Sequence, residues 1–284
     1  MAQSAEQASD EDARVAVVTG AGRGLGRAMA VGLVHAGVRV LATAARESAE
    51  LESLTAECAR GMILPLIADV THAADSERVV TSALQHFGRL DVLINNAGRG
   101  MKYVSERFLT EPTPFWAVEP QTWRMLIDTN LNGPFLMARA AAPHLIRAGW
   151  GRIINVSMNY ATMRRAGFSP YGPSKAALES ATRIWAEDLR GTGVTVNALL
   201  PGGATRTGMI PAAALPAMRD QLLDPQVMVP PLLWLLSAEA DGLSGARVNA
   251  SRWEPSRPYA ALEPAGWGAE AMASGMLGAA PGRR

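Results

Sequence analysis

Short apolar runs alternate along the chain with longer segments whose apolar residues recur at helical spacing, from Arg14 to about Leu200. Several of the short runs are apolar throughout, which is typical of strands buried on both faces of a parallel sheet. The predicted strands cover residues 15–19, 38–43, 62–68, 90–95, 152–157 and 194–200, with a last strand near 246–250. The predicted helices cover residues 25–36, 48–58, 75–87, 121–148 and 174–190.

This alternation predicts a single α/β domain over residues 13–258, with a doubly wound, mostly parallel sheet of about seven strands and helices on both faces. A polar tail is predicted over residues 1–12, and an Ala-, Gly- and Pro-rich tail over residues 259–284. Two segments, 99–120 and 202–229, interrupt the regular alternation. Long irregular loops in an otherwise regular domain often carry function.

Composition narrows the class of protein further. The chain has 284 residues, 48% of them hydrophobic and 19% charged, which is enough apolar material for a sizeable core. The net charge of +1 gives no electrostatic reason to expect nucleic acid or a membrane surface as a partner. Cys58 is the single cysteine and the four histidines are scattered, so we expect no disulfide and no metal site. No signal peptide or bilayer-spanning segment is recognisable, and we therefore expect a cytoplasmic protein.

A glycine-rich segment joins the first predicted strand to the first predicted helix. Residues 19–26 read Thr-Gly-Ala-Gly-Arg-Gly-Leu-Gly, which gives Thr-Gly-x-x-x-Gly-x-Gly rather than the stricter Gly-x-Gly-x-x-Gly. Glycines here let the backbone approach a pyrophosphate, which then lies at the free N–H groups of the helix N-terminus. A tight turn that binds nothing is the alternative. The residues expected to bind phosphate are Thr19, Gly20, Gly22, Arg23, Gly24, Leu25 and Gly26.

Further motifs follow in order, each after a predicted strand or on a predicted helix. They are Asp69-Val70, Asn95-Asn96-Ala97-Gly98, Asn130, Tyr171 with Lys175, and Pro201-Gly202. Together with the glycine-rich turn, this series resembles the short-chain dehydrogenase/reductase family over about residues 14–250. The resemblance implies a Rossmann-type fold and hydride transfer between NAD(P) and a secondary alcohol/ketone pair. It also implies that the cofactor site includes Asp69, Val70, Asn96, Ala97, Gly98, Lys175, Pro201 and Gly202.

Tyr171 and Lys175 are four residues apart, so a helix places both side chains on one face. A phenol has a pKa of about 10, and a nearby ammonium group lowers that pKa by favouring the phenolate. Tyr171 is therefore expected to exchange a proton with a ketone or alcohol oxygen near neutral pH. The resemblance implies in addition that Lys175 binds the nicotinamide ribose and that Asn130 helps to hold a water molecule of the proton relay.

The serine that holds the substrate oxygen in this family is expected about thirteen residues before the tyrosine. That position is Met158, whose thioether donates no hydrogen bond. Ser157 lies one residue earlier, and we expect a one-residue shift in the following loop to bring it into the site. In the alternative, the site works without that hydroxyl, and Asn159 or Tyr160 replaces it.

The end of the second predicted strand bears on the choice between the two nicotinamide cofactors. NAD-preferring relatives usually have a carboxylate there, whereas this chain has none before Glu47. Arg23 and Arg46 are available to bind the 2′-phosphate of NADP by charge-assisted hydrogen bonds. The sequence therefore favours NADP over NAD.

These observations predict an NAD(P)-dependent oxidoreductase that acts on a small alcohol or carbonyl compound, with Tyr171, Lys175, Ser157 and Asn130 in the catalytic site. The alternative is a catalytically impaired dinucleotide-binding sensor or scaffold on the same fold, which Met158 alone favours. The segment 174–190 carries more apolar surface than one sheet face needs. Because relatives pair this helix with another subunit, we also expect a homo-oligomer, a tetramer rather than a dimer.

Overall fold

The computed structural model describes residues 13–211 and 220–264. The central sheet has the strand order β3-β2-β1-β4-β5-β6-β7-β8, in which every neighbouring pair is parallel except β7 with β8. The strands are β1 (Val15–Val18), β2 (Arg39–Ala44), β3 (Ile63–Ile67), β4 (Val92–Asn95), β5 (Gly151–Val156), β6 (Val194–Leu200), β7 (Arg247–Asn249) and β8 (Leu262–Glu263). The predicted doubly wound, mostly parallel sheet is confirmed, with one strand more than the seven expected.

The additional strand, β8, lies within the segment 259–284 that composition assigned to a tail. Leu262 and Glu263 pair with Val248 and Arg247 of β7, so the sheet continues past residue 258. Composition alone gives little signal for so short a strand. Residues 1–12, residues 265–284 and part of the second interrupting segment, 212–219, lie outside the described residues.

The α-helices in the described ranges are α1 (Gly24–His35), α2 (Ser48–Glu57), α3 (Ala73–Phe87), α4 (Pro120–Ile127), α5 (Gly133–Ala148), α6 (Tyr160–Met163), α7 (Tyr171–Asp188) and α8 (Val229–Leu235). The single helix predicted over residues 121–148 is instead two helices joined by the π-helical turn Asp128–Asn132. Pro134 has no N–H to donate to the carbonyl of Asn130, so the helical hydrogen-bond ladder is interrupted there.

Two apolar clusters cover the two faces of the sheet. Along β1, Ala16 and Val18 belong to one cluster, and Val15 and Val17 belong to the other. The first cluster includes side chains of α1, α2 and α8, and the second includes side chains of α3, α5 and α7. This double burial explains why the central strands are apolar throughout. Within the described residues, no helix is long and apolar enough to cross a membrane.

Candidate active site

A cavity of about 510 Å³ lies beyond the carboxyl ends of the parallel strands, where open α/β sheets bind their ligands. It brings together most of the site residues predicted from the sequence. Those that line it are Gly20, Gly22, Arg23, Gly24, Leu25, Gly26, Arg46, Asp69, Val70, Asn96, Ala97, Gly98, Ser157, Tyr171, Lys175 and Pro201. Thr19, Asn130 and Gly202 are not part of its lining.

The glycine-rich turn lines the cavity after β1, and its shape requires glycine. Gly20 and Gly24 have φ angles of +64° and +56°, in the left-handed region that favours glycine. A Cβ at Gly26 would lie 2.2 Å from the carbonyl oxygen of Gly20. No side chain caps the start of α1, so its first N–H groups are available to an anion. The turn therefore has the geometry of a pyrophosphate site.

Thr19 and Asn96 hold this turn from behind. The Thr19 hydroxyl oxygen accepts hydrogen bonds from the backbone N–H groups of Asn96 and Ala97, each at 3.0 Å. The Asn96 side-chain nitrogen donates to the carbonyl oxygens of Thr19 at 2.8 Å and Gly20 at 3.0 Å. Asn96 thus fixes the backbone around which a cofactor would bind, and the sequence pattern alone did not reveal this bracing.

Asp69 and Val70 line the cavity after the edge strand β3. Burial would raise the pKa of Asp69, but hydrogen bonds from the backbone amide and hydroxyl of Thr71 outweigh it, so the pKa of Asp69 is lowered. The side chain is therefore a carboxylate at neutral pH and accepts hydrogen bonds only. A shaped turn with free N–H groups, followed by this acceptor, fits an elongated dinucleotide.

Tyr171 and Lys175 both line the cavity, from the first two turns of α7. Pro173 also lies in the first turn, where its missing N–H interrupts no hydrogen bond. The Lys175 Nζ donates to the carbonyl oxygen of Val156 at 2.8 Å. The Tyr171 hydroxyl donates a hydrogen bond to the Met209 sulfur, at 3.9 Å.

The environment of the pair differs from the expectation that Lys175 lowers the pKa of Tyr171. Burial raises the pKa of Tyr171 to about 12. Burial also lowers the pKa of Lys175 to about 8, although the charge of Glu179, one turn further along α7, opposes that shift. In this structure the phenol is therefore fully protonated at neutral pH and is a hydrogen-bond and proton donor.

Asn130 lies in the π-helical turn and is completely buried. Its side-chain oxygen accepts from the N–H of Arg99 at 2.8 Å, and its nitrogen donates to the Arg99 carbonyl at 2.9 Å. The same nitrogen donates to the Ser174 hydroxyl at 3.0 Å. Asn130 thus joins the loop after β4 to α7, close to Tyr171.

Ser157 and Met158 both line the cavity, at the end of β5. The Ser157 hydroxyl donates a hydrogen bond to the carboxylate of Glu179. Since a hydroxyl has one proton, it cannot at the same time donate to a substrate oxygen. Asn159 also lines the cavity and uses one N–H on the carbonyl of Gly202 at 3.2 Å. Tyr160 is not part of this lining, and its hydroxyl donates to the carbonyl of Pro264.

Apart from Met158, the apolar wall of the cavity consists of residues outside the motifs named above. Met101, Phe108, Met158 and Phe168 form a buried apolar cluster, and each also lines the cavity. Lys102 donates to the carbonyl of Gly208 at 2.6 Å, which joins the two interrupting segments across the site. For Met101 and Phe108, the sequence signal was that they lie in a long irregular segment, 99–120. Among the described residues, no group of three or more His, Cys, Asp or Glu side chains could hold a metal ion.

The Rossmann-type fold, the glycine-rich turn, and the Tyr171 and Lys175 pair in one cavity define a dinucleotide-dependent oxidoreductase. Comparison with known proteins gives the family: residues 14–215 match the short chain dehydrogenase model. The chain belongs to this family and is an NAD(P)-dependent oxidoreductase.

Similarity to individual proteins extends over most of the chain. It is 34% identical to a 3-oxoacyl-[acyl-carrier-protein] reductase of Synechocystis sp., over 67% of this chain and 74% of that protein. It is 33% identical to the short chain dehydrogenase mpl6 of Monascus purpureus, over 85% of this chain and 81% of that protein. A solved 3-ketoacyl-(acyl-carrier-protein) reductase of Brucella melitensis, complexed with NADH, matches with a TM-score of 0.74 and 29% identity, covering 84% of this chain and 97% of that one.

Proposed function

We propose that this enzyme interconverts a ketone and a secondary alcohol and that Tyr171 is the general acid when the ketone is reduced. One observation carries the proposal. The Tyr171 hydroxyl is a partly buried, protonated donor in the cavity that also contains the glycine-rich turn. A phenol that is protonated at neutral pH can donate its proton to a carbonyl oxygen.

A nicotinamide cofactor, when bound, would supply the hydride that the carbonyl carbon receives. Tyr171 transfers its hydroxyl proton to the carbonyl oxygen, which becomes the alcohol oxygen. Lys175 lies one helical turn from Tyr171 and also lines the cavity, and its pKa is lowered to about 8. Asn130, through Arg99 and Ser174, holds the backbone around this pair in place.

Ser157 is proposed to hold the substrate oxygen once its hydroxyl turns from Glu179 towards the cavity. The side chain already lines the cavity, and a rotation about one bond redirects its proton. Asn159, with one N–H beyond the bond to Gly202, is the alternative donor.

Replacement of Tyr171 by Phe tests the assignment. We expect turnover to fall by about a hundredfold to ten-thousandfold, with cofactor affinity retained, because the ring stays and the proton is lost. Between pH 7 and 9 the Tyr171 phenol stays protonated, so a change in the rate of ketone reduction over this range is expected to follow Lys175, whose pKa is about 8. Normal turnover of Tyr171→Phe would contradict the proposal.

The cofactor is proposed to be NADP rather than NAD. Ala44 at the end of β2 and the following residues Ala45 and Arg46 line the cavity, and no carboxylate precedes Glu47, which also lines it. Arg23 forms an ion pair with Glu50 at 3.1 Å, whereas Arg46 forms no ion pair with any of the described residues. Arg46 is thus the available cation for a 2′-phosphate.

Steady-state kinetics with both cofactors test this proposal, with Arg46→Ala as the variant and Arg60→Ala as its control. Both arginines are exposed, but Arg60 does not line the cavity. We expect Arg46→Ala to raise KM for NADPH selectively and Arg60→Ala to leave it unchanged. A tenfold preference of the unmodified enzyme for NADH would contradict the proposal.

The substrate is proposed to be a carbonyl compound with an apolar portion next to the reacting carbon. Met101, Phe108, Met158 and Phe168 provide the apolar wall, and several relatives are named as reductases of 3-oxoacyl groups on acyl carrier protein. A panel of 3-oxoacyl thioesters and simple ketones, followed through NADPH absorbance, gives the test. Faster turnover of small polar ketones than of thioesters and longer ketones would contradict it.

A second candidate is a dinucleotide-binding protein without turnover. Met158 at the family's serine position favours it, as does the donation of the Ser157 proton to Glu179. The same panel separates the two functions: saturable cofactor binding with no oxidation of NADPH by any carbonyl compound would support this candidate.

We also propose that the enzyme is a cytoplasmic homo-oligomer, a tetramer rather than a dimer. Large apolar side chains are exposed on α5 and α7, namely Phe135, Ile146 and Ile184. Burial of such side chains between subunits would remove them from water. A monomeric mass in light scattering at micromolar concentration would contradict the assembly, and cell fractionation tests the location.

A further inference from the structure

A second group of charged side chains lies behind the active site, outside the large cavity. At its centre is Arg247 on β7, which is 1% exposed. Its Nε donates to both carboxylate oxygens of Glu179, at 3.0 and 3.1 Å. One terminal nitrogen binds the carboxylate of Glu263 on β8, and the other donates to the carbonyl oxygen of Met158. All three nitrogens of the guanidinium group therefore have partners.

This group contacts the active site through residues 157–160, which we call the strand-end loop. Arg247 binds the backbone of Met158, and its guanidinium carbon lies 3.9 Å from the centre of the Tyr160 ring. Glu179, held by Arg247, accepts the Ser157 hydroxyl proton. Of the loop residues, Ser157, Met158 and Asn159 line the cavity, whereas Arg247, Glu179 and Glu263 do not.

We propose that Arg247 is a positioning residue of the active site: clamped by Glu179 and Glu263, it fixes the strand-end loop and thereby the side chains that hold the substrate oxygen. This inference rests on the proposed function. A guanidinium group is planar and presents its donors at fixed angles, so its three partners are fixed relative to one another. The partners belong to α7, to β8 and to the loop itself. The loop is thus tied to two other elements through one side chain.

Precise placement of the loop matters because hydrogen-bond donors to a reacting oxygen act over short distances. A displacement of about 1 Å in a positioning group can lower turnover by about a hundredfold. The clamp also explains how the chain tolerates Met158 at the serine position. The side chain at 158 packs in the apolar wall, while Arg247 holds its backbone carbonyl.

The chain contains a matched control for Arg247. Arg152, at the start of β5, is likewise 1% exposed. It donates to the carbonyl oxygens of Leu235 at 3.0 Å and Gly151 at 3.1 Å, and it binds the carboxylate of Asp241. It lies at the opposite end of its strand from Ser157. At both positions, replacement by lysine keeps the positive charge but removes the planar guanidinium group and its fixed arrangement of hydrogen-bond donors.

The experiment compares Arg247→Lys with Arg152→Lys in the full-length protein. We expect Arg247→Lys to lower kcat at least tenfold with cofactor affinity within twofold of normal, and to speed hydrogen–deuterium exchange in peptides covering 157–164. Arg152→Lys is expected to leave kcat within threefold and the exchange of these peptides unchanged. If Arg247→Lys does not fold, Glu263→Gln loosens the clamp more mildly and is expected to give the same pattern at smaller amplitude.

Equal effects of the two lysine variants on kcat, or unchanged exchange of the strand-end loop in the Arg247 variant, would overturn the proposal. Exchange is measured without turnover. If the unmodified protein reduces no carbonyl compound, the proposed function fails, and the exchange result still decides whether Arg247 fixes the loop.

Discussion

Removal of the Ser157 hydroxyl separates a catalytic serine from a structural one. In the structure, the hydroxyl of this buried side chain donates to Glu179, which keeps two hydrogen bonds from Arg247 when the serine is lost. Loss of one hydrogen bond to a charged group lowers the unfolding free energy by about 2 kcal/mol. We expect Ser157→Ala to lower the unfolding free energy of this protein by no more than that amount.

The expected effect on turnover is larger. If Ser157 turns to hold the substrate oxygen, its loss removes one donor to the charge that develops there. Such a loss lowers kcat by about a hundredfold or more, which corresponds to roughly 2.7 kcal/mol in the activation free energy. Cofactor affinity is expected to stay normal, because the serine lies at the end of β5, away from the glycine-rich turn.

Met158→Ala is expected to give the opposite pattern. The Met158 side chain is buried in the apolar wall, so its truncation leaves a cavity and lowers the unfolding free energy by about 2–5 kcal/mol. No hydrogen-bond donor is lost, so kcat is expected to fall much less than in Ser157→Ala.

The assay is steady-state turnover of Ser157→Ala, Met158→Ala and Tyr171→Phe with the best carbonyl substrate, alongside urea unfolding and cofactor titration. The reasoning requires Ser157→Ala to resemble Tyr171→Phe far more than Met158→Ala does. Near-normal turnover of Ser157→Ala would refute it. In that case the serine serves only Glu179, and the substrate oxygen is held by Asn159 or by Tyr171 alone.

Two further predictions concern the cofactor turn and the buried lysine. Gly26→Ala places a Cβ 2.2 Å from the Gly20 carbonyl oxygen, so the glycine-rich turn must shift. We therefore expect cofactor affinity, measured by fluorescence titration, to fall at least tenfold. Unchanged affinity would count against the pyrophosphate assignment. Burial lowers the pKa of Lys175 from 10.5 to about 8, so the unfolded chain binds more protons between these pH values and the unfolding free energy rises with pH across them. The rise in unfolding free energy amounts to up to about 3 kcal/mol, and Lys175→Met is expected to remove it. The measurement is urea unfolding of both proteins at pH 8, 9 and 10. The same dependence of unfolding free energy on pH in both proteins would contradict the burial of the lysine.

The fold was predictable because its signals are local. The apolar strands, the helical spacing between them and the glycine-rich turn can each be recognised within a short stretch of sequence. The break in the long helix had a local signal too, since Pro134 cannot donate to the Asn130 carbonyl. The two-residue strand β8 had none, because its pairing depends on β7 rather than on its own pattern.

The candidate site was predictable as a set of residues, but its electrostatics were not. The spacing of Tyr171 and Lys175 gave the shared helix face. It did not show that the lysine amine binds the Val156 carbonyl, nor that burial raises the pKa of the tyrosine. Those properties depend on what packs around the pair. Arg247 and Glu179 are 68 residues apart in the sequence, and no local pattern connects them.

Glu179 shows why the positioning role is best tested at Arg247. Its carboxylate accepts the Ser157 proton, binds Arg247 and opposes the lowering of the Lys175 pKa. Replacement of Glu179 would change the serine, the clamp and the charge near Lys175 together, so a loss of turnover could not be assigned to one of them. Arg247→Lys keeps both the Glu179 carboxylate and a positive charge beside it. Its principal effect is to remove the fixed geometry of the guanidinium group, so a loss of turnover in that variant reports on the placement of the strand-end loop.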